Sequence, residues 1–451
     1  MSGVRFASPR FAAYRDRLLA ARMRESCGIA YARHDAAAES WVVTTAELAP
    51  EAAYERRDRT HATLKPAFLV EVANRARAEG LSVIVTHTHP WASGAPAFSA
   101  VDDAGEAELK AYLDRRAPEG AHLALVVGPD GCRARHLGGG PNVPVWEVGE
   151  RLVLRSPAPR DGLEEGLEDG RHDRQIRAFG SAGQDLLRRL RVGVVGAGGT
   201  GSVTLQQLAH LGVADYTIID PDRVEPTNLN RLVGSGRGDV GRPKVEVAER
   251  LIRAIHPDAM IRGLMADVVD AEVAPQLAGL DAIFLCTDSH ASRAVVGQLA
   301  YQYLVPTFDM GVSLTARDGV VSHVTGRVQM LAPGLSCLTC TGALDSEQIR
   351  RELLTPDQRR ADPYVQGAHE PQPAVISINS TMASLAVTMF LGAVTPAPAT
   401  ARFQYYDGVR GTVRPARASQ VETCIVCSAS GALARGSAWP LPVRPTEARH
   451  G

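Results

Sequence analysis

The chain has 451 residues, a formal net charge of -1 and 22% charged residues. This length exceeds the size at which single hydrophobic cores stop growing, so we expect two or three domains. Near-neutral charge without a long basic or acidic run excludes an electrostatic basis for binding nucleic acid or an anionic membrane. We therefore expect a protein or small-molecule partner.

The cysteines and the apolar segments indicate where the protein works. Seven cysteines are too few to staple a chain of this length, and four of them form two CxxC pairs, which indicates a metal site in a reducing compartment. The arginine-rich start lacks the apolar core of a secretory signal. The most apolar stretch, 374–394, is interrupted by three polar residues from 379 to 381 and favours a buried or interface helix over a membrane span. We expect a cytoplasmic protein.

Composition also suggests the domain boundaries. The segment SPAPRDGLEEGLEDG is rich in glycine, proline and acidic residues, as solvated linkers are. The polar stretch 345–373 indicates a mobile crossover or lid, and the proline-containing end indicates disorder. The predicted division is a first domain at 1–157, a linker at 158–170, a second domain at 171–438 and a disordered tail at 439–451.

Hydrophobic periodicity predicts an α/β protein. In the first half, the strand-like runs CGIAYAR, SWVVTTA, LSVIVTH and AHLALVVG accompany two helical segments, LKPAFLVEVANRARAEG and DDAGEAELKAYLDRRAP. The second half alternates more regularly between strands, beginning RVGVVG, ADYTIID, MIRGLMA and DAIFLCTD, and intervening helices. This alternation is typical of a doubly wound parallel sheet.

The stretch HTHPWASGAPAFSAVDD contains a candidate metal site. LSVIVTH places His87 and His89 at the end of a buried strand, where alternate residues share one face, and Asp102 follows at the start of a predicted helix. Two imidazoles and a carboxylate leave a fourth position for water, as in catalytic zinc sites. The HxH pattern alone is more often a pair of ordinary histidines.

HTHP, SAVD and the upstream ESCGIA together resemble the JAMM/MPN+ zinc metalloproteases, over roughly residues 10–150. The resemblance implies a mixed β-sheet domain flanked by helices that hydrolyses peptide or isopeptide bonds. It assigns Glu25 to polarising the zinc-bound water and Ser99 to stabilising the oxyanion. The loop between Pro90 and Ser99 is longer than expected, so Asp103 competes with Asp102 as a ligand.

RVGVVGAGGTGS places a G-x-G-x-x-G motif, with Gly196, Gly198 and Gly201, between a strand and a helix. Such a turn binds phosphate through backbone N–H groups, and Asp220 on the next strand suits a ribose hydroxyl. The motif alone does not identify the ligand. An NAD-dependent oxidoreductase is therefore one hypothesis.

The segments DRQI, IIDPDRVEPTNLNRL, GRPK and CTD together resemble the ThiF/MoeB-like adenylyltransferases of the ubiquitin-activating superfamily, from about residue 171 to 426. The resemblance implies that Asn228, Arg231 and Lys244 bind the ATP triphosphate and that Asp288 holds Mg²⁺. It also implies that Arg174 reaches the nucleotide of a second subunit in a homodimer. Singly, the polar residues also suit a solvated surface, and Asp288 a helix N-cap.

These residue types fit the chemistry of adenylation. Cations must neutralise the charge on the departing pyrophosphate when an anionic carboxylate approaches ATP. The chain has only three lysines, and Lys244 is the last of them. Retention of a compact ammonium in an arginine-rich chain indicates a position where a guanidinium does not serve.

The two CxxC pairs predict a four-thiolate zinc site, as many members of this family carry; two redox pairs are the alternative. The pairs are Cys337 with Cys340 and Cys424 with Cys427. No cysteine lies between 341 and 423, where thioester-forming relatives have their nucleophile. We therefore expect adenylation without an internal thioester.

The combined hypothesis is a fusion of two opposed activities. The first domain is expected to process or deconjugate a ubiquitin-like or sulfur-carrier protein with zinc, and the second to adenylate its C-terminal glycine with ATP and Mg²⁺. A conjugating enzyme or a sulfur donor is the expected partner that acts after adenylation. The sequence does not distinguish conjugation from sulfur transfer. The remaining alternatives are the oxidoreductase and a non-catalytic scaffold.

Overall fold

A computed structural model describes residues 3–156, 170–317, 320–355, 358 and 373–444. Nearly all of the predicted linker at 158–170 lies outside these ranges, so the domain boundary stays a prediction. Residues 356, 357 and 359–372 of the predicted lid lie outside them as well.

The first half is a mixed β-sheet flanked by helices, as predicted. Its helices are α1 (Ser8–Leu19), α2 (Pro66–Glu79) and α3 (Ala100–Arg116). Its strands are β1 (Gly3–Ala7), β2 (Cys27–Asp35), β3 (Ser40–Leu48), β4 (Tyr54–Arg57), β5 (Ala62–Leu64), β6 (Ser82–Thr88), β7 (Leu123–Val127), β8 (Cys132–His136), β9 (Asn142–Val143), β10 (Val145–Val148) and β11 (Leu152–Leu154). Nine of these strands pair in the order β11-β10-β1-β3-β2-β6-β7-β8-β9, and β4 pairs with β5 alone.

Local chemistry sets the ends of the two helices beside the central strand β6. Pro66 begins α2, where its missing N–H costs no hydrogen bond, and Gly80 ends it in the left-handed conformation with φ of 62°. Ser99 and Asp102 form a capping box at the start of α3. These ends leave α2 and α3 beside β6 and place its last residues next to the start of α3.

The second half is a doubly wound sheet with an antiparallel extension. Its helices are α4 (Asp173–Arg189), α5 (Gly199–His210), α6 (Lys244–Ile255), α7 (His290–Gln302), α8 (Ser346–Leu353) and α9 (Ile376–Val394). Its strands are β12 (Arg191–Val195), β13 (Asp215–Ile219), β14 (Met260–Leu264), β15 (Ala282–Leu285), β16 (Thr307–Arg317), β17 (Val320–Leu331), β18 (Phe403–Asp407) and β19 (Thr412–Pro415). They pair in the order β14-β13-β12-β15-β16-β17-β18-β19.

The strands from β14 to β16 in this order are parallel, and β17, β18 and β19 add antiparallel pairs. The α/β class and the doubly wound second half are confirmed. The antiparallel extension was not predicted, because the first half of β17 is largely exposed and carries no apolar run.

Helix α9 covers the apolar stretch of the sequence. By length and composition alone it could cross a membrane, but half of its most apolar window is buried inside the protein. Its buried residues, among them Met382 and Phe390, join the core of the second half. The core role explains its apolar composition, because a helix buried on several faces is apolar on all of them.

The predicted disorder of the tail is wrong for residues 439–444. The Arg444 guanidinium pairs with Asp267 at 2.9 Å and Asp270 at 2.7 Å, and Gln302 donates to the Trp439 carbonyl at 2.7 Å. These polar contacts, with Leu441 packed on the core, fix the segment. Residues 445–451 lie outside the described part.

The predicted lid at 345–373 is also wrong at its beginning. Residues 346–353 form α8, and Glu352 accepts hydrogen bonds from the Ser289 hydroxyl and the Ala291 N–H, both at 2.7 Å. This carboxylate therefore ties the start of the segment to the first turn of α7.

The two halves share a buried ionic contact. Arg5 on β1 is 2% exposed and donates to four carbonyl groups of the second half, those of residues 278, 279, 280 and 303. Asp281 lies 3.6 Å from its guanidinium. Burial is the main cause that lowers the pKa of Arg5, to about 10. Because both Nη atoms donate to acceptors across the contact, the buried charge is tolerated and links the two halves.

Replacement of Arg5 by methionine is expected to destabilise both halves together. The change leaves buried carbonyl groups without donors and removes the positive charge beside Asp281. We expect the free energy of unfolding to fall by about 3 kcal/mol. Scanning calorimetry should show one transition at lower temperature. Arg24→Met, which alters an exposed pair with Glu51, serves as the control. Two separate transitions, of which only one shifts, would contradict a shared structural unit.

Candidate functional site

The first candidate site lies where β6 ends. One ligand atom each from His87, His89 and Asp102 lies within 4.8 Å of the other two. The His87 Nε2 atom lies 3.1 Å from Asp102 Oδ1, and His89 Nε2 lies 3.9 Å from Asp102 Oδ2. His87 Nε2 is buried and makes no well-oriented hydrogen bond with any described residue. A cation between these three side chains would satisfy them all, so the residues fit a zinc ion.

Glu25 joins this cluster through strand pairing. Cys27 on β2 lies opposite His87 on β6, which brings the residue two before it to the same sheet end. The Glu25 Oε1 atom lies 3.9 Å from His89 Nε2. Burial raises the pKa of Glu25 to about 7. The structure thus brings together Glu25 and the three predicted metal ligands.

Ser99 and Asp103 occupy defined positions around the cluster. The Ser99 hydroxyl donates to Asp102 Oδ2 at 2.8 Å and orients that carboxylate; its oxyanion role stays a prediction. Asp103 instead pairs with Arg135 at 2.6 Å. This ion pair turns Asp103 away from the histidines, so the competition with Asp102 that the long loop suggested is absent.

A groove of about 520 Å³, which the sequence did not predict, leads away from the cluster. Leu64, Leu69, Leu109 and Tyr112 are among the apolar side chains that line it, and the exposed Glu108 lies on its rim. The groove provides room for an extended segment of substrate. The sequence alone did not indicate this groove, because its walls come from β5, α2 and α3, which only the fold brings together.

The second candidate site begins at the glycine loop after β12. Gly196 has φ of 92°, and a Cβ atom on Gly201 would lie 1.8 Å from the Gly196 carbonyl oxygen. Gly198 is the N-cap of α5, so the helix begins inside the loop. Only glycine permits this tight turn, which directs backbone N–H groups towards an anion. The loop therefore has the form of a phosphate-binding turn.

Asp220 follows β13 and accepts hydrogen bonds from the backbone in and near the glycine loop. Its Oδ2 accepts from the Ala197 N–H at 2.6 Å and its Oδ1 from the Asp222 N–H at 2.8 Å. Burial raises the pKa of Asp220, whereas Lys244 and these hydrogen bonds oppose the rise. In this structure the carboxylate fixes the backbone around the loop; its predicted contact with ribose stays a prediction.

Lys244 and Arg231 lie around the same loop. Lys244 begins α6, and its Nζ donates to Asp222 Oδ2 at 2.7 Å. The Arg231 side chain passes beside Gly199, where its Cδ would lie 3.3 Å from an added Cβ, and its Nη1 donates to the Thr227 carbonyl. Asn228 is 9% exposed and caps its own turn. Arg231 thus lies against the glycine loop, and Lys244 reaches it through Asp222, whose N–H donates to Asp220.

Asp288 lies at the same edge of the sheet. Val195 at the end of β12 is level with Ile219 and Leu285, the ends of β13 and β15. The chain segments after these three strands therefore emerge together. The N-cap of α7 is Ser289, so the N-cap interpretation of Asp288 is wrong. Asp288 is exposed beyond the strand ends, where a carboxylate can hold a metal ion.

Arg174 is not part of this cluster within one chain. It is exposed on α4, whose neighbouring Gln175 donates to the His210 carbonyl at the far end of α5. The twelve residues of α5 separate that end from the glycine loop by about 18 Å. This position leaves a role at the nucleotide of a second subunit as a prediction.

The four remaining site residues form one thiolate cluster. The sulfur atoms of Cys337, Cys340, Cys424 and Cys427 lie within 4.8 Å of one another. The Cys337 and Cys424 sulfurs are 3.5 Å apart, as are those of Cys340 and Cys427. A hydrogen bond from Cys427 lowers the pKa of Cys337 to about 5. The cluster could hold a structural zinc ion.

The other three cysteines are poor nucleophiles in this structure. Burial raises the pKa of Cys27, Cys132 and Cys286 to about 12 in each case. Because the thiolate is the reactive form, none of the three is activated. Adenylation without an internal thioester stays a prediction.

Comparison with known proteins identifies the second half. A model of the ThiF family matches residues 172–426, more than half of the chain. The molybdopterin-synthase adenylyltransferase of Escherichia coli is 30% identical over 261 residues, which cover 57% of this chain and 95% of that protein. The SAMP-activating enzyme E1 of Haloferax volcanii is 33% identical over 161 residues, 36% of this chain and 56% of that protein. That match spans little more than half of the Haloferax protein.

Among solved structures, the crystal structure of E. coli MccB with ATP matches 58% of this chain and 75% of that chain, with 19% identity and a TM-score of 0.45. The family match, with its glycine loop and clustered cations, replaces the oxidoreductase hypothesis. This chain belongs to the ThiF family.

Proposed function

We propose that this chain is an enzyme with two active sites for one substrate. The ThiF-family half adenylates the C-terminal carboxylate of a ubiquitin-like or sulfur-carrier protein. The first half is a zinc-dependent metallopeptidase of the JAMM type that processes or deconjugates the same terminus. The shared substrate is a protein and adenylation consumes ATP, so a cytoplasmic setting suits both activities.

The adenylation proposal depends on one observation above all. In a ThiF-family chain, the glycine loop, Lys244 and the Asp288 segment emerge at one edge of the sheet. The names of the two curated relatives, an adenylyltransferase and an activating enzyme, support the same chemistry. The edge thus combines an anion-binding turn with cations and a carboxylate.

The reaction needs each of these groups. A carboxylate oxygen of the substrate attacks the α-phosphorus of ATP, a new P–O bond forms, and the bond to the β-phosphate breaks to release pyrophosphate. The loop N–H groups, Asn228, Arg231 and Lys244 would hold the triphosphate and stabilise the charge that moves to pyrophosphate. Asp288 would hold Mg²⁺, which would supply positive charge to offset that of the phosphate groups.

Lys244→Ala should abolish adenylation. Without the ammonium, charge on the departing pyrophosphate is less stabilised, so carrier-dependent ATP–pyrophosphate exchange should fall by about 100-fold or more. The assay uses small β-grasp carriers ending in Gly-Gly. Lys110→Ala, which removes an exposed partner of Asp114, is the matched control and should exchange normally. Exchange by Lys244→Ala at the rate of the unmodified chain would contradict the assignment.

The metallopeptidase proposal rests on the cluster at the end of β6. His87, His89 and Asp102 would hold zinc, which lowers the pKa of a bound water to about 7 and makes it nucleophilic. Glu25, at 3.9 Å from His89, would accept a proton from the attacking water and deliver it to the leaving nitrogen. The adjacent groove would hold the segment that precedes the cleaved bond.

Glu25→Gln should prevent cleavage without affecting adenylation. The amide keeps the size of the side chain but cannot accept the proton, so a carrier with residues added after Gly-Gly should remain uncut. Mass spectrometry follows trimming on this extended carrier, and adenylation separately on a carrier that already ends in Gly-Gly. Glu79→Gln on the surface of α2 is the control. Equal trimming by Glu25→Gln, or none by the unmodified chain, would contradict a protease role.

The two metal clusters predict two zinc ions per chain. Plasma emission spectrometry of the purified protein should find about two zinc ions, since each cluster supplies a complete ligand set. The double change His87→Ala with His89→Ala should remove one, and Cys337→Ser with Cys424→Ser the other. Only the second should lower thermal stability markedly, because structural zinc contributes to folding. Loss of all zinc from the cysteine variant alone would contradict a histidine site.

The fate of the adenylate follows from the cysteines. Because the three cysteines outside the zinc cluster have raised pKa values, the acyl adenylate would pass to a separate thiol or persulfide, or to a conjugating enzyme. Dimerisation through the ThiF-family half would bring Arg174 to the nucleotide of the second subunit. Conjugation and sulfur delivery are both compatible with this reaction.

A further inference from the structure

Two guanidinium groups share one fully buried carboxylate in the second half. Asp309 on β16 is 0% exposed. Arg293 Nε lies 3.2 Å from its Oδ1, and Arg327 Nη2 lies 2.5 Å from its Oδ2. Two cations on one anion leave a net charge of one unit, which is unusual in the interior because buried charges are normally balanced.

The excess charge lies beside the adenylation site. Asp309 is level with Leu285, the last residue of β15. Arg293 lies near the start of α7, five residues after Asp288. The three charged side chains therefore begin where the parallel strands end, next to the segment that carries Asp288.

Neither arginine is fully enclosed. The Arg293 and Arg327 side chains are 12% and 16% exposed. Arg293 also donates through Nη2 to the Met310 carbonyl at 3.3 Å. Arg327 lies opposite Gly311 on the neighbouring strand, and a Cβ on Gly311 would lie 3.1 Å from Arg293 Nη2. The absence of a side chain at Gly311 therefore leaves room for the Arg293 guanidinium beside the strand pair that carries Arg327.

The proposed reaction requires a positive charge that binds its second substrate, the carboxylate. The triphosphate candidates Arg231 and Lys244 come from the segments around β13 and α6, on the other side of β12. The attacking carboxylate is itself an anion and approaches a polyanion, so it requires a separate cation. Guanidinium forks suit carboxylates because they donate two parallel hydrogen bonds.

We propose that Arg327 and Arg293, held in place by Asp309, bind the C-terminal carboxylate of the substrate before adenylation. This inference rests on the proposed adenylation and assigns residues to its second substrate. Asp309 orients both guanidinium groups without cancelling their charge. Their excess positive charge then attracts the chain terminus and fixes its oxygen atoms near the α-phosphate.

Peptide binding tests this assignment without knowledge of the natural carrier. Fluorescence anisotropy would compare a labelled synthetic peptide ending in Gly-Gly with its C-terminal amide, on the full chain with a non-hydrolysable ATP analogue and Mg²⁺. The free acid should bind about tenfold tighter or more, as expected for charge-assisted hydrogen bonds. In Arg327→Met the difference should fall below about threefold by the same reasoning.

A sign test separates substrate binding from a structural role. Asp309→Asn removes negative charge and should not weaken binding of the acid peptide, whereas Arg327→Met should weaken it. A purely structural pair would lose binding in both variants, because both break the same contact. Arg410→Met, an exposed arginine paired with Asp407, is the matched control and should behave like the unmodified chain.

The proposal depends most on Arg327. Arg327→Gln is a second variant at this position, because its amide can still donate to Asp309. An acid preference retained by a folded Arg327 variant would overturn the proposal. Equal binding of acid and amide by the unmodified chain, or binding of neither at millimolar concentration, would overturn it as well. The exchange assay with Lys244→Ala reports on adenylation separately, so failure of one proposal is distinguishable from failure of the other.

Discussion

The alignment of parallel strand ends is the constraint on which the second site depends. Because Val195, Ile219 and Leu285 lie level in one sheet, the glycine loop, the Asp220 segment and the Asp288 segment must emerge together. The close contact between Gly196 and Gly201 leaves the glycine loop open to an anion. Lys244 at the start of α6 and Arg231 in the turn before it add positive charge at this edge, where the backbone already favours phosphate.

The first site uses strand ends in another way. Antiparallel pairing of β2 with β6 carries Glu25 to histidines that lie more than sixty residues later in the chain. The alternation of β6 places both imidazoles on one face, and the capping box of α3 presents Asp102 to them. Arg5 fixes this half against the other through buried hydrogen bonds. The two candidate sites therefore lie in halves that share this buried contact.

Sequence reasoning succeeded where short spacing determines geometry. The HxH pattern, the glycine loop and the CxxC pairs each fix local positions, and the fold brings their members together. It failed where contacts join distant segments with no pattern of their own. The groove walls, the Arg293–Asp309–Arg327 cluster and the anchoring of residues 439–444 by Arg444 belong to this class. The sequence did not decide between Asp102 and Asp103, because the ion-pair partner of Asp103, Arg135, lies on β8, far from α3 in sequence.

Diffraction at the zinc absorption edge, from crystals grown with Mg²⁺ and a non-hydrolysable ATP analogue, would locate the ligands of both proposed sites in one experiment. We expect two anomalous peaks, one among the four cysteines and one about 2.0–2.1 Å from the histidine nitrogens. We also expect a triphosphate against the glycine loop, within reach of Lys244 and Asp288. A zinc ion only at the cysteines, together with a nucleotide bound away from that loop, would show that the chain does not carry the two active sites proposed for it.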